Sequence, residues 1–172
     1  MREKCYRYSG TKINTTMETD NNHVKILFRF YSDVLEQDTV ETMWAEIMDE
    51  DAGIYQLDSI PFYAPDLAAG DVISAVYDDD EGMLTYQETV SYSGNSTVQV
   101  IIFDETAAPA DIMKVFEELG CATEQFKEKY FVIDVPVELN YAPVRAKLNE
   151  LSEAKIIDYA EPCLSAEHGN AQ

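Results

Sequence analysis

The 172-residue chain holds two histidines, three cysteines and 33 acidic side chains, the groups from which a reactive centre would be built. A zinc centre needs Cys and His at close ligand spacing. His23, His168, Cys5, Cys121 and Cys163 are scattered, and none has that spacing. Calcium is the better question for so acidic a chain. An EF-hand loop places acids at positions 1, 3 and 5, Gly at 6 and Glu at 12. Counted from Asp78 the fifth position is Gly82 and the twelfth Thr89; counted from Asp49 they are Gly53 and Ile60, so both loops fail. Gly-x-Ser-x-Gly, Gly-x-Gly-x-x-Gly and the Walker pattern do not occur. Paired carboxylates do acid–base work in many enzymes, but among this many acids some pair always lies close, so proximity singles out no residue. The reading assigns no catalytic residue, metal ligand or cofactor.

The acids are informative by where they sit. The formal charge is −21 at pH 7. Residues 30–113 contain 19 acids and neither Lys nor Arg, so nearly all of the excess belongs to that stretch. Its densest clusters are Asp49-Glu50-Asp51 and Asp78-Asp79-Asp80-Glu81, with Glu36, Asp38 and Glu41 behind them. Binding to a phosphate backbone rests on cationic side chains, and docking on anionic lipid does too, so nucleic-acid and membrane-surface partners are disfavoured. One sign of charge over a large surface steers oppositely charged partners instead. General solubility, or adaptation to salt, is the competing explanation for the same charge.

Elements that would carry these groups follow from periodicity. Residues 1–22 are polar without a regular period and read as a flexible leader. Residues 24–31 alternate with β-branched and aromatic side chains, a strand. A polar connection with one helical turn is expected over 32–40, then strands over 41–50 and 54–57 joined at Asp51-Ala52-Gly53. Ile60-Pro61-Phe62-Tyr63-Ala64-Pro65 is an extended connector whose prolines forbid a central strand. Residues 66–70 read as a turn of helix closed by Gly70, and 71–77 and 83–92 as strands. Ser93-Gly94-Asn95-Ser96 reads as a hairpin turn leading into a strand over 97–103. Trp44, Phe62 and Tyr63 are expected as core anchors. Further on, 109–119 is an amphipathic helix closed by Gly120, 121–126 and 130–135 are strands, Asn140 caps a helix over 141–152, and 156–160 is the last strand.

The fold class expected is α+β: an N-terminal small β-barrel or strongly bent antiparallel sheet over 23–95, then a ferredoxin-like βαββαβ half over 96–163, and a polar tail over 164–172. A single continuous domain is the alternative. Right-handed crossovers predict strand order 4-1-3-2 in the second half. That order puts Cys121 and Cys163 at opposite edges, too far apart to pair. A sparse, odd set of cysteines, no apolar leader and no long apolar run together predict a cytoplasmic chain.

Trp44-Ala45-Glu46, Ile60-Pro61-Phe62-Tyr63-Ala64, Gly70-Asp71-Val72 and Ser93-Gly94-Asn95-Ser96-Thr97-Val98 occur in an order and spacing that resembles a bacterial family catalogued as domain of unknown function, number four-two-six-five. The resemblance covers roughly residues 24–162 and leaves the leader outside. It implies a soluble bacterial cytoplasmic protein and supplies no catalytic residues.

The function expected is a non-enzymatic acidic binding protein that docks on a basic protein partner, such as a toxin or a nucleic-acid-binding protein, in the manner of an immunity protein or inhibitor. The carriers would be Asp49, Glu50, Asp51, Asp78, Asp79, Asp80, Glu81, Glu36, Asp38 and Glu41, accepting hydrogen bonds from Lys and Arg. A ligand-binding regulatory module of ferredoxin-like type and an enzyme of unrecognised chemistry are the alternatives.

Overall fold

The computed structural model describes residues 22–32 and 36–169. The expected leader lies outside these residues except for Asn22, and so do Cys5 and positions 170–172. Five strands form the first half: β1 (His23–Ser32), β2 (Gln37–Asp49), β3 (Ile54–Leu57), β4 (Val72–Asp78) and β5 (Met83–Ser91). Consecutive strands pair antiparallel, and β5 returns to lie parallel to β1, Ile26 beside Leu84, so the sheet closes into a ring. Alternation decides what enters it. Ile26 and Phe28 of β1, Met43 and Ala45 of β2, Tyr55 and Leu57 of β3, and Ile73 and Ala75 of β4 make one buried core.

Three local expectations are corrected here. Of the polar connection expected over 32–40, Ser32 ends β1 and residues 37–40 begin β2, with Thr39 and Val40 paired to Phe30 and Arg29, while residues 33–35 lie outside the described residues. Residues 66–70 form a turn rather than helix, with Asp66 at φ 58° and Gly70 at φ 84°. Trp44 is no core anchor: Met43 and Ala45 take the inward positions, leaving Trp44 36% exposed, with the Lys25 ammonium 4.9 Å from its ring.

The second half runs β6 (Ser96–Ile102), α1 (Pro109–Glu118), β7 (Ala122–Lys127), β8 (Tyr130–Val135), α2 (Tyr141–Glu153) and β9 (Ile157–Cys163). Its antiparallel sheet has the order β7-β8-β6-β9, which is the strand order expected from the sequence. Ile112 and Phe116 of α1 and Tyr141, Val144 and Leu148 of α2 pack with Val98, Val100, Phe131, Ile133 and Val135 in one core, so both helices cover the same face. Asn140 caps α2, its Oδ1 accepting from the Ala142 amide at 3.0 Å. Cys121, beside β7, and Cys163, ending β9, lie at opposite edges and are free thiols; burial, first of all, pushes both up to about 11. Strand β9 runs past the expected stop at Glu161-Pro162. Its register on β6 slips between Thr97 and Gln99, and this irregularity on an edge strand accommodates the proline.

One expectation at the join is also corrected. The segment 93–96 makes no hairpin, since among the described residues β5 pairs with β4 and β1 while β6 pairs with β8 and β9. It is the crossing from the ring to the second sheet. The stretch expected as a polar tail folds over its described part: α3 (Ala166–Gly169) buries His168, which is 2% exposed, against the Tyr141 ring.

Candidate functional site

The acids that charge density pointed to divide into four environments. Glu41 is the largest departure from expectation. It takes an inward position on β2 and is 8% exposed. Its Oε1 accepts the Phe62 amide at 2.8 Å, and its Oε2 accepts those of Tyr63 and Ala64 at 3.0 and 2.9 Å. A carboxylate holding three connector N–H groups, two of them buried, organises the connector and is not available to a partner. Glu81 is ion-paired with Arg29. Asp49 and Asp78 turn back on their own loops: Asp49 Oδ1 accepts from Ala52 at 3.0 Å, and Asp78 Oδ1 accepts from Asp80 at 2.9 Å and Glu81 at 3.3 Å. Glu50, Asp51, Asp79 and Asp80 are exposed at the loop tips.

Register locates these loops. Ala75 donates to the Gly53 carbonyl at 3.0 Å, so β4 continues beyond the 50–53 turn and both acidic turns fall at one end of the ring. Glu36 and Asp38 are exposed at the β1–β2 hairpin. Asp38 lies 11 residues back along β2 from Asp49, roughly 35 Å in an extended strand. The structure therefore gathers residues 49–51 and 78–81 and leaves Glu36 and Asp38 apart. Beside the β4–β5 turn, Val76 and Tyr77 are 60% and 59% exposed and, with Asp78, Asp79, Asp80 and Gln87, border a shallow depression of about 510 Å³.

A second cluster, at the seam between the two sheets, was not singled out by charge. Asp71, buried, accepts the Ala68 amide at 2.9 Å and the Ser93 amide at 2.7 Å. Asn95 donates from Nδ2 to the Ala69 carbonyl at 3.2 Å and to both Asp134 oxygens at 3.2 and 3.3 Å, while its Oδ1 accepts the Val137 amide at 3.0 Å. Thr97 Oγ1 and Gln99 Nε2 donate to the Leu67 and Phe62 carbonyls, each at 3.0 Å. Gly94 is needed where the chain crosses: its φ is +85°, and a Cβ there would stand 2.7 Å from Val137 Cγ2. Asp134 is pushed up to about 6, mainly by burial and further by the negative Asp71 and Glu138, against the lowering effect of the Asn95 hydrogen bonds. The nearby Ser96 hydroxyl lies 2.7 Å from His168 Nδ1 and accepts the Ser165 amide at 2.9 Å. Serine and histidine are both sealed from solvent, so the pair fastens α3 to β6. Sequence signals for the seam existed: Asp71 and Asn95 lie in the short patterns quoted above, and Asp134 interrupts an apolar run.

The geometry defines a largely antiparallel β-sheet protein of α+β class, in which a ring of five strands is joined along a polar seam to a four-stranded sheet covered by two helices. A family model described as "Domain of unknown function (DUF4265)" matches residues 41–159, and the chain belongs to that family. It is also similar to a solved structure described as "Novel crystal structure of a hypothetical protein from Neisseria gonorrhoeae", at 27% identity and a TM-score of 0.71, covering 82% of this chain and 94% of that one. No curated protein matches the chain. Among the described residues no helix is long and apolar enough to cross a membrane.

Proposed function

We propose that the chain is a non-enzymatic binding protein, bacterial and cytoplasmic, that docks on a basic protein partner in the manner of an immunity protein or inhibitor. The docking surface is the acidic end of the ring. The observation that carries this reading is the exposure of Val76 and Tyr77 directly beside Asp78, Asp79 and Asp80. Protein interfaces combine an apolar, often tyrosine-containing centre with a polar rim, and this patch has both. Glu50 and Asp51 extend the rim across the Gly53–Ala75 contact; Asp49 serves its own turn, Glu81 is engaged by Arg29 through Oε1, and Glu41 is excluded. In fold terms we read the ring as a small β-barrel over 23–95 and the second unit, 96–163, as ferredoxin-like, a reading supported by its element order and strand order.

The test is affinity capture from the native bacterium at low and high salt, with wild-type protein and the variant Tyr77→Ala, Asp79→Lys, Asp80→Lys as baits. The reading expects a basic protein held by wild type at low salt, weakened by salt, and missing from the variant. Recovery of the same proteins in equal amount on both baits would overturn it.

A further inference from the structure

At the mouth of the ring away from the acidic turns, β1, β5 and the connector enclose a cavity of about 390 Å³. Its lining is half polar: the apolar side chains of Phe28, Leu67 and Tyr86 share it with Arg29, Asp66 and Glu88. The rings of Phe28 and Tyr86 stack with centroids 4.9 Å apart, Leu67 closes the connector side, and Tyr92, 70% exposed, stands at the rim. Small-molecule sites are typically concave, largely apolar and equipped with a few charged groups, at volumes of about 300–1,000 Å³. The charges here are unequal. Asp66 and Glu88 border the opening as carboxylates, whereas Arg29, the cation that also borders it, is ion-paired with Glu81. An apolar body is favoured inside, a positive group at the mouth, and the aromatic rings add attraction for that cation. An anionic group would meet Asp66 and Glu88.

We propose that this mouth of the ring binds a small amine, an aromatic or aliphatic body carrying one ammonium group, with Asp66 and Glu88 as the ammonium's partners. The cavity lining shares no residue with the lining of the acidic depression, although the Arg29–Glu81 ion pair links the two, and the probes below are tested without any protein partner so that either reading can fail alone. Asp66 occupies φ 58°, a conformation that Asn also tolerates, and Glu88 is exposed on β5, so both carboxylates can be neutralised while the backbone is kept.

The experiment uses the full chain and three probes at equal concentration: 2-phenylethylamine, its anionic counterpart 3-phenylpropionate, and ethylammonium, which has the charge without the ring. Binding is followed by NMR titration of the aromatic and methyl signals and by thermal shift. Saturable binding of 2-phenylethylamine alone, with changes centred on Phe28, Tyr86 and Tyr92, is expected. The double variant Asp66→Asn, Glu88→Gln, with its own melting curve recorded to show that it is folded, should weaken that binding about tenfold or more. Should the double variant be unfolded, Glu88→Gln alone takes its place with the same expected direction. Equal binding of the anion, an equal response to ethylammonium, changes centred on Tyr77, or an unaltered affinity in the folded variant would each overturn the proposal.

Discussion

Asp134 and Glu41 are both buried carboxylates, and their surroundings make them opposite in effect. Glu41 receives three backbone N–H groups, so removing it strands three donors in the connector. Glu41→Ala should cost on the order of 3 kcal/mol or more in urea unfolding. Among the described residues Asp134 accepts from the Asn95 side-chain amide alone, and it faces Asp71 and Glu138. Its folded value, about 6, stands above the ordinary 3.8, so the folded state holds the proton more tightly than the unfolded chain. The consequent penalty is absent below about pH 4, grows as pH rises to 6, and reaches on the order of 3 kcal/mol at neutral pH. Asp134→Asn keeps an acceptor for Asn95 and removes the charge. It should stabilise the protein at pH 7 and flatten its stability between pH 4 and 6; a variant less stable than wild type at pH 7 contradicts the account. Sequence reading placed Glu41 with the surface acids because charge density is counted along the chain, whereas burial is decided by the phase of β2.

At the scale of elements, most strands and both long helices were legible from alternation and helical spacing, because those periods report directly which face is buried. Misreadings fell where a side chain answers to a distant element. Ser93-Gly94-Asn95-Ser96 has hairpin chemistry, yet Asn95 bonds Ala69, Asp134 and Val137, which come from beyond either flanking strand. Trp44 looked like an anchor by residue type, and its neighbours' inward phase put it outside. The seam is where the two sheets communicate. Asn95→Ala should therefore destabilise by about 2–3 kcal/mol, since it leaves the Val137 amide and the Ala69 carbonyl short of partners. The loss should appear in hydrogen exchange at Val137 and along β8 as well as near the substitution. Faster exchange confined to residues 93–96 would argue against a shared seam. Gly94→Ala should destabilise similarly, through its positive φ and the Val137 contact.

For the molecule as a whole, a charge of −21 concentrated in one half raises the free energy of the compact state through self-repulsion. Added sodium chloride should raise the melting temperature over the range from about 10 mM to 0.3 M, where the screening length shrinks from roughly 30 Å to below 8 Å. The Tyr77→Ala variant, uncharged in its change, should keep that salt response, whereas Asp79→Asn, Asp80→Asn should reduce it. Self-repulsion of this kind is tolerable where the same field serves association. The most direct check on the docking reading is the association rate of the captured basic partner, measured against ionic strength for wild type and for Asp79→Asn, Asp80→Asn. The account predicts a wild-type rate that falls steeply with added salt and a variant whose rate is slower and flatter. Identical rates and identical salt slopes for the two proteins would contradict it.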